Sequence, residues 1–272
     1  MKQGRTGASG LPRKLSAILL SVAMLIMGMA SAADNSIYID QTGDNAVIAV
    51  TQDGTGNIVR GIQGVGSSNT TPAKIYGDSN NVAVTQTGSS NILSLGINRG
   101  TGTGTTGNVV NYSVTGNSAA GIINMNNANL GTAASNTVGI TQTGNNASSN
   151  LNLTGDSNAI SVTTSGGANN AYTSTVAGDS NTQNISLTGG GGNGATVNQT
   201  GDGHTADITS VGAANSYTVN QSGGSIGHIT KLDFNGSSNT VSVTQQGTAA
   251  DNIANVKSAG STNSFTINQN AR

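Results

Sequence analysis

The chain has 272 residues with Gly 40, Pro 2, no Cys and no Trp, and aromatic residues make up 3% of it; its formal net charge is -1. The absence of Cys excludes disulfide scaffolds and Cys-ligated zinc or iron–sulfur centres. Scarce large apolar side chains argue against a conventional globular core. A near-neutral charge argues against charge-driven disorder, and the lack of clustered Lys/Arg beyond the first residues argues against nucleic-acid binding.

The first predicted element is a signal peptide over 1–32. Lys2, Arg5, Arg13 and Lys14 form a basic start, Leu15 to Met29 an apolar run, and Ala30-Ser31-Ala32 a small-residue cleavage pattern. The run is shorter than the ~20 apolar residues of a spanning helix. No membrane span is therefore expected after cleavage. Residues 33–272 would carry six basic and eleven acidic residues, a net charge of -5, and every acid is Asp.

From Ile37 onward a short unit recurs: alternating apolar residues, then Gln or Thr, then Gly, then Asn. Ile37–Asn45, Val82–Asn91, Ile140–Asn146 and Val243–Gly247 are examples. The Gly of successive units steps by 11 to 13 residues from Gly144 to Gly260, and by 11 or 12 from Gly43 to Gly88. Alternation rich in Val, Ile and Thr predicts strands. The Gly- and Asn-containing tracts between them predict tight turns. Between 98 and 135 the rhythm blurs around Gly100–Asn108, which predicts an irregular segment or degenerate repeats.

Gln199, Gln221, Gln245 and Gln269 are spaced by 22, 24 and 24 residues. Two units then make one rung, and like residues fall above like residues. The expected fold is all-β: a β-solenoid of about ten two-stranded rungs over 33–272, with stacked Gln/Asn ladders ~4.8 Å apart. Ladder bonding satisfies amides whose unpaired burial costs ~1–3 kcal/mol each. A thin filling of Val, Ile, Leu and Ala would lie between two sheets.

Gln52-Asp53-Gly54-Thr55-Gly56-Asn57, followed by Val59 and Gln63, resembles the curlin repeat, with Val where curlins usually place Ala. Gln86-Thr87-Gly88-Ser89-Ser90-Asn91 matches its first half. Gln41–Ala46 and Gln142–Ala147 match with one residue fewer. The chain departs from the family in having about twice the usual repeats, in replacing many Gln by Thr or Ser, and in a reduced N-terminal targeting segment. The resemblance implies a secreted subunit that polymerises into extracellular amyloid fibres on the bacterial cell surface, for biofilm matrix and adhesion. Its implied partners are further copies of itself and dedicated secretion and nucleation proteins. The ladder and self-assembly candidates are Gln41, Gln52, Asn57, Gln63, Gln86, Asn91, Gln142, Gln199, Gln221, Gln245 and Gln269.

The solenoid itself points the same way, because the ends of such a stack are open edges that soluble proteins block with charge, Pro, bulges or caps. Here the first strand has only Asp34 and Asp40 nearby and the last only Arg272.

Other chemistries have weaker grounds. The Gly-Asp-Ser-Asn tetrads at 77–80, 155–158 and 178–181 lack the nine-residue tandem spacing of calcium-binding repeats and read as Asx turns. His204 and His228, 24 apart, could stack, but no third metal ligand accompanies them; they read as polar turn residues. Catalysis is not expected: there is no Cys or Glu, and Arg60, Arg99, Lys231 and Lys257 are scattered. No cofactor site is expected either. The Thr85/Thr87 and Thr141/Thr143 pairs suggest an ice-binding face, but as pairs they do not persist along the sequence. The tyrosines and phenylalanines read mostly as core. The rival to the fibre subunit is a non-polymerising adhesin or a nucleating and anchoring minor subunit.

Overall fold

The computed structural model describes residues 34–64, 66–98, 107–125, 134–223 and 227–271. The expected signal peptide, Arg99 and Arg272 lie outside the described residues.

Among the described residues there is no helix, and the strands run β1 (Ser36–Ile37), β2 (Ile39–Thr42), β3 (Val47–Asp53), β4 (Ile58–Gly61), β5 (Ala73–Tyr76), β6 (Asn81–Thr87) and β7 (Ile92–Ile97). They continue as β8 (Val109–Thr115), β9 (Ala120–Met125), β10 (Thr137–Thr143), β11 (Ser148–Thr154), β12 (Ala159–Thr164), β13 (Ala171–Ala177) and β14 (Thr182–Thr188). The last are β15 (Gly194–Thr200), β16 (Thr205–Val211), β17 (Ser216–Ser222), β18 (Ile229–Asn235), β19 (Thr240–Gly247), β20 (Ile253–Ala259) and β21 (Ser264–Ala271).

Every pairing skips to an equivalent strand one turn on and is parallel, as in β15 with β17 or β16 with β18. One sheet has nine strands in the order β3-β6-β8-β10-β12-β14-β16-β18-β20; the other has twelve, from β1 and β2 to β21. The result is a two-sheet β-solenoid of nine turns, preceded by the half-turn β1–β2, close to the expected ten rungs. In the twelve-stranded sheet two levels are each made of two strands, β1 with β2 and β4 with β5. That sheet is thus ten levels deep against nine for its partner.

One correction follows. The segment 98–135 is not irregular throughout: β8 and β9 lie within it, in register with their neighbours. Val110, Tyr112 and Val114 keep the inward alternation although the Gln is absent. The Thr-x-Thr pairs are broken at Asp53 and Val211, as expected, but a single row of hydroxyls persists once folded. Thr51, Thr85, Ser113, Thr141, Thr163, Ser186 and Thr209 form one unbroken outward file of hydroxyls on the nine-stranded sheet.

Turns are tight because successive rungs approach closely at them. Gly178 has φ +134°, and a Cβ there would sit 2.1 Å from the Gly201 carbonyl oxygen of the next rung. Two residues later the chain is again left-handed, at Ser180 with φ 57°. Within strands the two-residue alternation sends every second side chain between the sheets. The aliphatic filling is joined by fully buried Tyr112, Tyr172, Tyr217 and Phe234. Phe234 meets Tyr217 and Phe265 edge-on, with centroids 5.5 Å apart in each case. The core reading of these aromatics holds.

Candidate functional site

The inward Gln file of the twelve-stranded sheet is a hydrogen-bonded ladder. Gln199 Nε2 donates to Gln221 Oε1 at 2.9 Å, Gln221 to Gln245 at 3.0 Å, and Gln245 to Gln269 at 2.8 Å. Gln183, on the facing sheet, feeds it by donating to Gln199 Oε1 at 2.9 Å. A second, shorter ladder joins Gln52 to Gln86 at 2.8 Å.

The other sequence candidates divide. Asn57 and Asn91 belong to a corner file of buried asparagines. Gln41 faces inward on the edge strand β2 but donates locally to the Gly43 carbonyl. Gln63 folds back onto the Gly61 carbonyl and joins no ladder. Gln142 is buried between Val114 and Thr164 of adjacent rungs. Its Oε1 accepts from the Tyr112 hydroxyl at 3.2 Å. Its Nε2 has no partner among the described residues, and neither has Thr164 Oγ1.

The largest element missed in the sequence is at the corners. The Asn three residues after each turn Gly is buried, not a solvent-facing turn residue. Its Oδ1 accepts the backbone N–H of its equivalent one rung on, and at most of these positions its Nδ2 donates to the Gly carbonyl of that next turn, whereas Asn80 and Asn170 donate to the Gly of their own turn. Asn158, for example, accepts from Asn181 N–H at 2.8 Å and donates to Gly178 O at 2.9 Å. One corner file runs through Asn80, Asn108, Asn136, Asn158 and Asn181. The opposite one runs Asn35, Asn57 and Asn91, is interrupted by Ala119 and Ala147, and resumes through Asn170, Asn193, Asn215, Asn239 and Asn263. A Gly three residues earlier is the sequence signal at most of these positions, although Asn35, Asn108 and Asn136 lack it.

The two histidines continue the first corner file. His204 N–H donates to Asn181 Oδ1 at 2.9 Å; His204 Nδ1 accepts from His228 N–H at 3.0 Å; and His228 Nδ1 accepts from Asn252 N–H at 3.2 Å. Their Nε2 atoms lie 3.1 Å from Thr200 O and 3.2 Å from Ser222 O. An accepting Nδ1 and a carbonyl at Nε2 fix both rings as neutral Nε2–H tautomers. The rings stack with centroids 5.0 Å apart. Desolvation by burial holds the His204 pKa below the usual imidazole value, and the Thr200 carbonyl opposes it. They are thus ladder residues rather than polar turn residues.

Asp residues following the turn Gly also act across rungs. Asp179 and Asp202 carboxylates accept the backbone N–H groups of Asp156 and Asp179 at 2.7 and 2.8 Å. The described residues contain no group of three or more His, Cys, Asp or Glu positioned for a metal ion.

All three kinds of ladder are polar. Gln Nε2 donates to the Gln of the following rung and Asn Oδ1 accepts from the following rung, whereas the Asp carboxylates accept from the preceding rung and several Asn Nδ2 groups donate back to it. The two ends of the stack therefore differ. At the leading end β3 pairs only with β6, and its inward residues Ile48, Val50 and Gln52 are half-buried. At the trailing end Phe265, Ile267 and Gln269 of β21 are half-buried in the same way. Val47 and Ile253, on the edge strands of the nine-stranded sheet, are exposed at 55% and 60%.

No protein-family model, curated protein or solved structure matches this chain.

Proposed function

We propose that the protein is a secreted structural subunit that polymerises head to tail into extracellular amyloid-like fibres of the curlin type, serving in biofilm matrix and surface adhesion. The observation that carries this reading is the pairing of polar ladders with open edges of opposite kind. A stack in which each ladder keeps a single direction has two unlike ends, each carrying the hydrogen-bonding partners that the other lacks. Such a heterologous contact generates an open filament rather than a closed dimer. Both ends also leave apolar inward residues half-covered, and a neighbouring rung would bury them. The repeat resembling that of curlins and the expected signal peptide support the extracellular setting.

The test is to follow the purified mature protein, residues 33–272, by thioflavin fluorescence, negative-stain microscopy and fibre diffraction. Fibres with a ~4.8 Å meridional reflection are expected; a lasting monomer overturns the reading. The outward hydroxyl file from Thr51 to Thr209 favours one second reading, an ice-binding solenoid, since a flat row of hydroxyls at ~4.8 Å spacing presents a regular lattice to water. Thermal hysteresis of the monomer would be its signature.

A further inference from the structure

We propose that β1–β2 is a built-in plug: it occupies, within one molecule, the groove on β4–β5 that receives β21 of the preceding copy in a fibre. This rests on the head-to-tail reading above and says how the joint is made and restrained.

Three observations carry it. The first is depth. The twelve-stranded sheet has ten levels and its partner nine. If β1–β2 of one copy stacked on β21 of another, every joint would lack one strand of the nine-stranded sheet, leaving the facing edges of β20 and β3 unpaired. If β21 takes the place of β1–β2, both sheets contribute nine levels and run through the joint without a gap.

The second is sequence. Asn35-Ser36-Ile37-Tyr38-Ile39-Asp40-Gln41 aligns position for position with Asn263-Ser264-Phe265-Thr266-Ile267-Asn268-Gln269. The Gln position of this file is instead apolar through the levels next to the plug, at Ile75, Ile97, Met125, Leu153 and Val176, and Gln returns only from Gln199 onward to the far end. The plug thus matches the far end of the molecule better than its own neighbours.

The third is bonding. Asn35 makes both bonds of the corner clamp, accepting from Asn57 N–H at 2.9 Å and donating to Gly54 O at 2.9 Å. Asn263 stands at the same corner, one position before its strand, and carries the same two groups. The plug is nevertheless the weaker occupant: its level is split into strands of 2 and 4 residues, whereas β21 is continuous over 8. Polymerisation is then an exchange of one strand for its equivalent, with residues 36–42 released at each joint.

Double-cysteine variants of the full mature chain test this, since the protein has no Cys of its own. Asp40 and Lys74 are exposed partners across the plug, and Asn268 takes the Asp40 place in the exchanged joint. Adjacent strands lie within the ~4.4–6.8 Å Cα range of a disulfide, whereas strands two levels apart, at about 9.6 Å, lie outside it. Oxidised fibres of Asn268→Cys/Lys74→Cys are expected to give an intermolecular disulfide ladder, and those of Asn268→Cys/Asp40→Cys none. Oxidised Asp40→Cys/Lys74→Cys, with the plug locked, is expected to lose fibre elongation and regain it on reduction. A ladder from Asn268→Cys/Asp40→Cys, or unimpaired elongation of the locked variant, overturns the plug while leaving the fibre reading standing. If the wild type forms no fibres, both fall.

Discussion

His204 and His228 show how a side chain is chosen by the bond it must make. Each stands where the file otherwise uses Asn, and the imidazole Nδ1 substitutes for the amide Oδ1. Protonating it would set an N–H against the backbone N–H of the next rung. Because the His204 pKa is lowered in the folded state, the unfolded chain binds the proton first, near the ordinary value of ~6.5. Stability is complete above that value and falls as pH drops through it. The urea midpoint of the monomer is expected to fall between pH 7 and pH 5. His204→Asn/His228→Asn, which installs the residue of the same file, is expected to flatten that dependence. The opposite corner invites the converse change. Ala119 and Ala147 break the Asn file, so Ala119→Asn/Ala147→Asn is expected to add about 1 kcal/mol per restored bond, read as a raised unfolding midpoint.

At the scale of elements the turn, more than the strand, sets the register. Most turns combine a Gly at strongly positive φ with a left-handed residue two positions on, as at Gly155 and Ser157; at Gly166 and Gly189 it comes three positions on. The rung above sits against the Gly Cα, leaving no room for a side chain. Gly178→Ala would combine an unfavourable φ with a Cβ 2.1 Å from a backbone oxygen. A loss of about 1–3 kcal/mol is expected, measurable in urea, with the damage centred on the β13–β14 corner. Strand sequences are looser. The β8 strand pairs in full register with β6 and β10 although Val114 replaces the Gln of Gln86 and Gln142. The same tolerance leaves Gln142 Nε2 without a partner among the described residues, the weak point of the Gln files.

For the whole molecule, stability is nearly one-dimensional, since each rung touches only its neighbours. Opening should start at the ends and spread inward. Amide exchange is expected to be fastest in β1, β2, β20 and β21 and slowest around β10 to β16, and fibre formation should raise protection selectively in β20, β21 and the facing β3–β5 edge while residues 36–42 lose it. A uniform profile would contradict the stack as the cooperative unit. The inner Gln ladder joins consecutive rungs up to the trailing end. Replacing Gln199, Gln221 and Gln245 together by Ala removes its bonds and is expected to slow or abolish assembly, followed by thioflavin fluorescence.

The sequence by itself determined the repeat, the strand-and-turn alternation, the two-unit rung and the stacking of Gln199, Gln221, Gln245 and Gln269. These are local periodicities, and a fixed step of 22 to 24 residues converts directly into vertical alignment. Only the tertiary structure decided which amides bond. Gln41 and Gln142 carry the same Gln-x-Gly motif as the laddered residues, yet each lacks a Gln one rung above or below, and Gln63 lies outside the strands; a hydrogen bond needs both partners. The structure likewise turned Asn and His from turn residues into buried clamps, because burial depends on the rung that closes over the corner. It also revealed that one sheet is a level deeper than the other, a mismatch that no single repeat records because it belongs to the two ends together.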